Sequence, residues 1–298
     1  MYFCRSKFNT MNTIRIGTRD SELALWQAKT VQNQLKTLGY PTEIVSTKSH
    51  GDIELSKPLY EMGVTGIFTK ALDIALLNSE IDIAVHSMKD VPTALPEGIV
   101  VGAVLKRGNP YDVLVYKGNL SFLEAEIATI ATSSLRRKAQ WLHRYPHHNI
   151  ENLRGNVNTR LQKLTDNPWN GAIFAAAGLE RINKLPEKHL VLDWMLPAPA
   201  QGAIVVVVRE DNVALQKKLL PLHDDYTYIA TQLERDFLRA LEGGCTAPIG
   251  AFAEFKDEKL YFKGGLWSED GKESSVIDEV LTQIDEYTGE KLATMVRS

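Results

Sequence analysis

Apolar and polar positions follow two alternating periodicities along the N-terminal part of the chain. A short apolar run at 13–17 predicts a strand, and apolar residues at helical spacing predict a helix over 20–39. A second strand is expected at 42–47, an amphipathic helix at 68–80 and a nearly continuous apolar strand at 81–87. This alternation of strands and helices indicates a parallel sheet that is covered by helices on both faces.

The same pattern starts again after a stretch with glycine and proline at 105–112, which is interpreted as a linker. Strands are expected at 128–134 and 171–178, and helices are expected at 134–145 and 156–164. The chain is therefore predicted to form a second unit of alternating strands and helices.

A strongly apolar strand is predicted at the end of the proline-containing segment 196–208, and we expect it to return to the first sheet. From about residue 225 the pattern changes, because a long helix is predicted at 226–244 and a closing helix near 284–296. Alternating strands are predicted between these helices at 249–255, 259–267 and 274–280. This C-terminal part is typical of a small α+β domain with an antiparallel sheet.

Composition limits the class of protein. The chain has 298 residues, enough for two or three domains, and its net charge is −3, so any basic site must be local. Its two cysteines, Cys4 and Cys245, form no disulfide framework, which suits a reducing cytoplasm. The N-terminus lacks the apolar core of a secretory signal, and no apolar run approaches the length of a membrane span. We therefore expect a cytoplasmic protein that has no membrane segment, with residues 1–10 as a loose extension.

The arginines and lysines lie in a pattern that indicates an anionic ligand. Most of them follow a predicted strand or begin the next helix, at Arg19, Lys89, Arg136, Arg137, Arg154 and Arg160. Ligands of open α/β sheets bind at these strand ends, where guanidinium and free helix N–H groups can bind carboxylates or phosphates. Any single one of these residues could be solvated surface charge. Their recurrence in both halves of the chain predicts a polyanionic ligand.

Nucleic acid is the competing polyanion, because the basic stretch at 133–140, SSLRRKAQ, could face a phosphate backbone. The acidic net charge and the lack of a recognised nucleic-acid-binding motif argue against this alternative. We therefore expect a small-molecule ligand and no nucleic acid.

Asp90 is the carboxylate whose position in the sequence best suits chemistry. It follows the apolar strand at 81–87 and lies two residues before Pro92, among positively charged residues. A carboxylate in such surroundings stays ionised and can stabilise a cation that develops in a ligand. The alternative is an aspartate that only bonds its own backbone at the start of a loop. His86 is interpreted as a packing or hydrogen-bonding residue.

Cys245 follows Gly243 and Gly244 at the end of the long predicted helix. A zinc site is disfavoured, since no second cysteine or pair of histidines has ligand spacing. A cysteine hydrolase would need a histidine base and an orienting acid, and the sequence does not show their pairing. Two interpretations stay open on the residues alone: a small buried cysteine, and an exposed thiolate that forms a thioether with a carbon electrophile.

A series of stretches carries a further signal. In chain order they read IRIGTRDSELALWQA, IDIAVHSMKDVPT, TSSLRRKAQ, LRGNVNTRL, AAAGLERI, PAPAQGA and LEGGCTAPIG. Together, from about residue 13 to 255, they closely resemble the porphobilinogen deaminase family of tetrapyrrole biosynthesis. The resemblance covers most of the chain, and its motifs are highly specific.

The resemblance implies an α/β fold in three domains. Two of them would be lobes that resemble type II periplasmic binding proteins and are joined by two crossing segments. The third would be the small α+β domain with its antiparallel sheet. The expected limits are 11–105 with 203–220 for the first lobe, 111–197 for the second lobe and 225–298 for the third domain. The family also implies a monomer.

The resemblance also implies the chemistry. A dipyrromethane cofactor, made from two porphobilinogen units, would be joined by a thioether to Cys245. The enzyme, a hydroxymethylbilane synthase, would add four porphobilinogens head to tail, release ammonia each time and hydrolyse off the linear tetrapyrrole. Each pyrrole carries an acetate and a propionate, which agrees with the polyanion expected from the arginines. The rival class is a non-catalytic anion-binding protein in which Cys245 is structural.

The family's site residues are carried over to this chain through the matching motifs. Asp90 would be the catalytic carboxylate that stabilises the cation left when ammonia departs. Besides Cys245, the residues implied to bind the cofactor are Ser87, Lys89, Thr132, Ser134, Arg136, Arg137, Gly155 and Arg160. The residues implied to bind substrate are Arg19, Ser21, Lys70, Arg154, Arg181 and Gln201. No metal is implied.

The chain departs from the family's pattern at a few positions. Thr65 stands where many members have a lysine, although Lys70 is kept, and Asn158 stands where glycine is common. None of these departures touches the residues implied to carry the chemistry.

Overall fold

The computed structural model describes residues 13–47, 69–125, 127–241 and 247–297. These residues form three β-sheets, two with five strands and one with three. The two faces of each five-stranded sheet are covered by apolar clusters, and another cluster lies between the three-stranded sheet and two helices. The expected fold class, two α/β lobes and a small α+β domain, is confirmed.

The first sheet has the strand order β2-β1-β3-β10-β4. Its strands are β1 (Ile14–Arg19), β2 (Thr42–Thr47), β3 (Ile83–Ser87), β4 (Ile99–Val104) and β10 (Ile204–Arg209). The strand expected to return from the end of 196–208 is β10, and it pairs with β3 and β4. It is antiparallel to both neighbours, so the prediction of a parallel sheet is confirmed for β1, β2 and β3 and is wrong for β10. The reason is that the chain enters β10 directly from the second lobe and not through a helical crossover.

The second sheet repeats this arrangement with the order β7-β6-β8-β5-β9. Its strands are β5 (Asp112–Tyr116), β6 (Thr129–Ala131), β7 (Asn149–Glu151), β8 (Gly171–Ala175) and β9 (His189–Leu192). Here β5 is the antiparallel strand, paired with β8 and β9. The interpretation of 105–112 as a linker is wrong at its end, because Asp112 begins β5 and is fully buried.

The four helices predicted in the two lobes are present with similar limits, whereas those at Ala176–Glu180 and Val213–Leu219 were not predicted. The described helices are α1 (Glu22–Thr37), α2 (Lys70–Leu77), α3 (Leu135–Arg144), α4 (Val157–Asp166), α5 (Ala176–Glu180), α6 (Val213–Leu219), α7 (Asp225–Leu241) and α8 (Thr288–Arg297). Helices α1 and α6 pack on one face of the first sheet and α2 on the other. Burial on both faces explains why strands such as β3 and β10 are apolar almost throughout. None of these helices combines the length and the apolar composition needed to span a bilayer.

The third sheet is antiparallel throughout and consists of β11 (Ile249–Lys256), β12 (Lys259–Trp267) and β13 (Ser274–Leu281). Helices α7 and α8 cover one of its faces, where the rings of Phe237 and Phe262 meet edge to face with centroids 5.1 Å apart. The predicted helix 226–244 is described as far as Leu241. Cys245 lies outside the described residues.

Two crossing segments, 105–111 and 193–203, connect the lobes. They contact each other directly, since Gly108 N–H donates to the carbonyl of Gly202 over 2.9 Å. A Cβ atom on Gly202 would lie 2.8 Å from the Gly108 carbonyl oxygen, and its φ of +86° also favours glycine. The close contact between the two crossing segments therefore requires glycine at position 202. The domain limits expected from the sequence stay a prediction.

Candidate active site

A cavity of about 220 Å³ lies between the two lobes and is lined by residues from both lobes and from the second crossing segment. Several predicted strands end at this cavity, as expected for ligand sites in open α/β sheets. The predicted site residues that line it are Arg19, Ser21, Ser87, Lys89, Asp90, Arg137, Arg154, Gly155, Arg160, Arg181 and Gln201. The tertiary structure thus brings together residues that are far apart in the sequence.

Four other predicted site residues do not line this cavity. Thr132 is buried beyond the end of β6, and Ser134 caps α3 by accepting from the backbone N–H of Arg137. Arg136 is buried against the second crossing segment, with Nη1 2.5 Å from the carbonyl oxygen of Leu196. Lys70 is exposed at the start of α2. The roles assigned to these residues from the sequence stay predictions.

Asp90 and Lys89 lie in one helical turn, Met88–Asp90, which follows β3 directly. Asp90 is exposed to the cavity, whereas Lys89 is half-buried and its Nζ donates to Oε1 of Gln201 over 3.1 Å. Burial, with the nearby charges of two arginines, lowers the pKa of Lys89 to about 8, although the Asp90 carboxylate opposes this effect. Lys89 is therefore mostly protonated near pH 7 and can bind an anion.

Arg137 is held in place by Asp112, a carboxylate that the sequence analysis missed. Oδ1 of Asp112 accepts from Nε and Nη2 of Arg137 at 3.1 and 2.7 Å, and Oδ2 lies 2.8 Å from Nη1 of Arg136. Gln201 adds a further donor to Oδ1, at 3.0 Å. Each of these side chains is almost completely buried, so one carboxylate serves two guanidinium groups in the protein interior.

The charge balance of this cluster favours the ionised carboxylate. Burial alone would raise the pKa of Asp112, but the charges of Arg136 and Arg137 outweigh burial and hold that pKa well below its usual range. The signal that could have revealed Asp112 is an acidic residue directly before the apolar stretch Val113–Val115. In an interior strand such a residue needs a buried cation as partner.

We expect Asp112→Asn to lower the free energy of unfolding by about 3 to 5 kcal/mol, because two buried guanidinium groups would lose their counter-charge. Chemical denaturation monitored by circular dichroism measures this loss. Asp211→Asn is the matched control, since Asp211 pairs with Arg209 at the surface and should matter by less than about 1 kcal/mol. Equal losses in the two variants would contradict the assigned role of Asp112.

Ser87 is also positioned by a residue that the sequence analysis did not single out. Gln27, buried on α1, donates from Nε2 to Oγ of Ser87 over 2.8 Å. Gln27 lies beside Ala24 and Ala28 on the apolar face of the helix. A long polar side chain on an apolar face was the available signal, because a buried amide needs a hydrogen-bond partner.

The second lobe supplies cations at the start of α4. Nε of Arg160 donates to the carbonyl of Gly155 over 2.7 Å. Arg154, which directly precedes Gly155 in the chain, is buried. Burial and the charge of Arg137 lower the pKa of Arg160 to about 10, so the side chain stays protonated near pH 7. Gly155 has a φ of +111°, and a Cβ atom there would lie 2.7 Å from the Thr159 side chain. This position therefore requires glycine.

The two lobes are also joined at the edge of the cavity. Glu22 of α1 accepts from Nδ2 of Asn158 and from Nζ of Lys184, each over 2.8 Å. Asn158, one of the departures from the family pattern, thus contributes a contact that glycine could not make. Arg181 adds a link to the second crossing segment through a 2.6 Å hydrogen bond to the carbonyl of Gly202.

His86 does not line this cavity. It is buried in β3, and burial, followed by the charge of Arg19, lowers its pKa to about 4. Its imidazole is therefore neutral near pH 7, in agreement with a packing residue. Within the described ranges, no three His, Cys, Asp or Glu side chains are grouped so as to hold a metal ion.

The fold and the cavity together define a class of protein: two α/β lobes that enclose a cationic cleft with an accessible carboxylate at Asp90, and a third α+β domain. Two protein-family models match this chain, one over the two lobes and one over the third domain. The model described as porphobilinogen deaminase, dipyromethane cofactor binding domain, matches residues 14–217, and that described as porphobilinogen deaminase, C-terminal domain, matches residues 228–297.

Whole-chain relatives carry the same description. A porphobilinogen deaminase of Syntrophotalea carbinolica is 44% identical over 276 residues, which cover 91% of this chain and 87% of the relative. A probable porphobilinogen deaminase of Methanocaldococcus jannaschii is 43% identical over 277 residues, which cover 92% and 94%. Among solved structures, the VFT2 domain of Bordetella pertussis BvgS aligns with a TM-score of 0.44 at 12% identity, covering 75% of this chain and 90% of that domain. The chain belongs to the porphobilinogen deaminase family.

Proposed function

We propose that this protein is a hydroxymethylbilane synthase that condenses four porphobilinogen molecules head to tail, releases four molecules of ammonia and hydrolyses off hydroxymethylbilane. The observation that carries the proposal is the cleft in which Arg19, Arg137, Arg154 and Arg160 lie with the accessible carboxylate of Asp90. In a family of porphobilinogen deaminases, such a cleft suits a substrate that is anionic at its edges and becomes cationic where it reacts.

The donor set of the cleft fits the dipyrromethane cofactor. A group made from two porphobilinogen units carries four carboxylates, and guanidinium groups bind carboxylates through paired, charge-assisted hydrogen bonds. Arg137 and Arg160, together with Lys89, would hold these carboxylates, and their positions are set by Asp112, Gly155 and Gln201 respectively. When bound, the cofactor supplies the free pyrrole α-carbon to which the first substrate is joined.

Asp90 would stabilise charge during the reaction. Porphobilinogen that has lost ammonia is a cation, and its attachment to the pyrrole α-carbon restores neutrality when that carbon gives up its proton. An ionised carboxylate held close to the pyrrole N–H groups lowers the energy of the cation and of the transition state that leads to it. Asp90 is supported in this role by its exposure to the cavity and by its neighbours, since the cavity lining is otherwise rich in cations.

Cys245 would be the attachment point. Its thiolate is proposed to form a thioether with the carbon that ammonia leaves, which consumes one substrate molecule without an oxidant or a reductant. The sequence position supports this role, because Cys245 follows helix α7 and two glycines. A monomeric enzyme in the cytoplasm, which acts on a small molecule and not on nucleic acid, completes the proposal.

The direct test is to incubate the purified protein, produced in a host that makes porphobilinogen, with porphobilinogen. We expect four molecules of ammonia for each linear tetrapyrrole that is released, measured by an enzymatic ammonia assay and by the absorbance of the oxidised cyclised product. Binding of porphobilinogen with no ammonia release would instead support the rival class, a non-catalytic anion-binding protein.

A further inference from the structure

Arg235 of the third domain contacts the turn that carries Lys89 and Asp90. Its Nη1 donates to the carbonyl oxygens of Met88 and Val91, at 3.3 and 2.9 Å, and its Nη2 donates to the carbonyl of Pro92. The Arg235 side chain is buried, with a relative exposure of 7%. One guanidinium group thus binds backbone atoms on both sides of Asp90.

These contacts suit the end of a helical turn. The last carbonyl groups of a helix have no partner within the helix and carry partial negative charge. In the turn Met88–Asp90 a 3.2 Å hydrogen bond from Val91 N–H to the Met88 carbonyl closes the end. A planar guanidinium with donors in a fixed fork can bind several such carbonyls at once, which a lysine ammonium on a flexible stem does less well.

The helix that carries Arg235 is itself anchored on the crossing segments. The neighbouring Glu234 is fully buried and accepts from Nη1 of Arg107 over 2.6 Å. Its carboxylate also accepts the backbone N–H groups of Ala200 and Ala253, at 2.6 and 2.7 Å. Because Arg107 and Ala200 belong to the two crossing segments, Arg235 projects from a helix whose place relative to both lobes is defined.

In the sequence, the same helix precedes the proposed attachment point. Helix α7 ends at Leu241, and Cys245 follows four residues later in the chain. The helix that precedes Cys245 in the sequence therefore also contacts, through Arg235, the turn that bears Asp90.

We infer that Arg235 is a positioning residue, which holds the Lys89–Asp90 turn at a defined place relative to the third domain and so directs the Asp90 carboxylate into the cavity. The inference rests on the proposed function of Asp90. It assigns to the third domain a part in catalysis beyond that of carrying the cysteine.

The test compares Arg235→Gln, Arg235→Lys and the control Arg239→Gln in the cofactor-loaded protein. Arg239 lies one helical turn further along α7 and pairs with Asp236 at the surface. For Arg235→Gln we expect kcat for ammonia release to fall about tenfold to a hundredfold, because small displacements of a reacting group have effects of that size. KM and the intact mass should change little, and amide hydrogen exchange should accelerate at 88–91 and not throughout the protein. Arg235→Lys should recover part of the rate, and Arg239→Gln should match the wild type.

Unchanged exchange at 88–91 in Arg235→Gln would overturn the inference, whatever the rate. A loss of rate with faster exchange in all three domains would also overturn it, since that result indicates a merely structural role. If Arg235→Gln does not fold, Arg235→Lys carries the same comparison with the charge retained. A wild-type protein that releases no ammonia would contradict the proposed function, whereas the exchange comparison would still decide whether Arg235 holds the turn.

Discussion

Asp90→Asn is expected to fold like the wild type and to lose ammonia release from porphobilinogen almost completely, by at least about 10²- to 10³-fold in kcat. The amide keeps the shape of the carboxylate but removes the negative charge that would stabilise the cationic substrate. Stability should be little affected, because Asp90 is exposed to the cavity and its neighbours there are held by other contacts. Single-turnover measurements with cofactor-loaded protein isolate this step from product release.

Asp193→Asn is a suitable control for that experiment, since Asp193 is an exposed aspartate that does not line the cavity. It should retain the wild-type rate. Substantial turnover by Asp90→Asn, with a thermal midpoint equal to that of the wild type, would refute the proposed role of Asp90. A low rate together with an early thermal transition would instead show that the substitution acts through folding.

Cys245→Ser is expected to abolish cofactor attachment and with it all product formation. The wild-type chain from a host that makes porphobilinogen should exceed its sequence mass by about two pyrrole units, and the Cys245→Ser chain should have the bare sequence mass. The physical reason is the difference in acidity: a thiol near pKa 8.5 supplies a thiolate at neutral pH, whereas a serine hydroxyl does not. Intact-protein mass spectrometry gives both values directly.

The chain contains its own control for this experiment, because Cys4 is its other cysteine. Cys4→Ser should keep both the additional mass and the activity. If the wild-type protein has the bare sequence mass, or if Cys245→Ser keeps the additional mass, the attachment at Cys245 is wrong. A wild-type protein with the additional mass but without ammonia release would separate cofactor binding from catalysis.

Local patterns predicted most of the secondary structure. The strands expected at 42–47 and 259–267 have those limits in the structure. The strand expected at 171–178 ends early, because Ala176 begins a short helix. Strands β4, β5, β7 and β9 were not recognised, and β5 was hidden by the glycine and proline of the segment before it. Short apolar segments show little periodicity, so whether they form strands depends on their pairing with neighbouring strands in a sheet.

Only part of the site was predicted, because local sequence patterns do not contain tertiary contacts. The cations at the strand ends were recognisable in the sequence, and most of them line the cavity. Arg136 and Arg137 are neighbours on one helix, yet only Arg137 reaches the cavity, although both bind Asp112. Which of two adjacent arginines faces a ligand depends on the direction of each side chain relative to the other lobe, and no local pattern contains that direction.

The sequence by itself determined the alternation of strands and helices, the concentration of cations at the strand ends and the motifs that indicate the family, because each of these is a local property. The tertiary structure alone decided that β10 returns antiparallel between β3 and β4, that Asp112 unites two arginines, and that Arg235 binds the turn of Asp90. These contacts join residues between 24 and 147 positions apart. Buried charges and free carbonyl groups require partners, but only the folded chain determines which distant groups can meet that requirement.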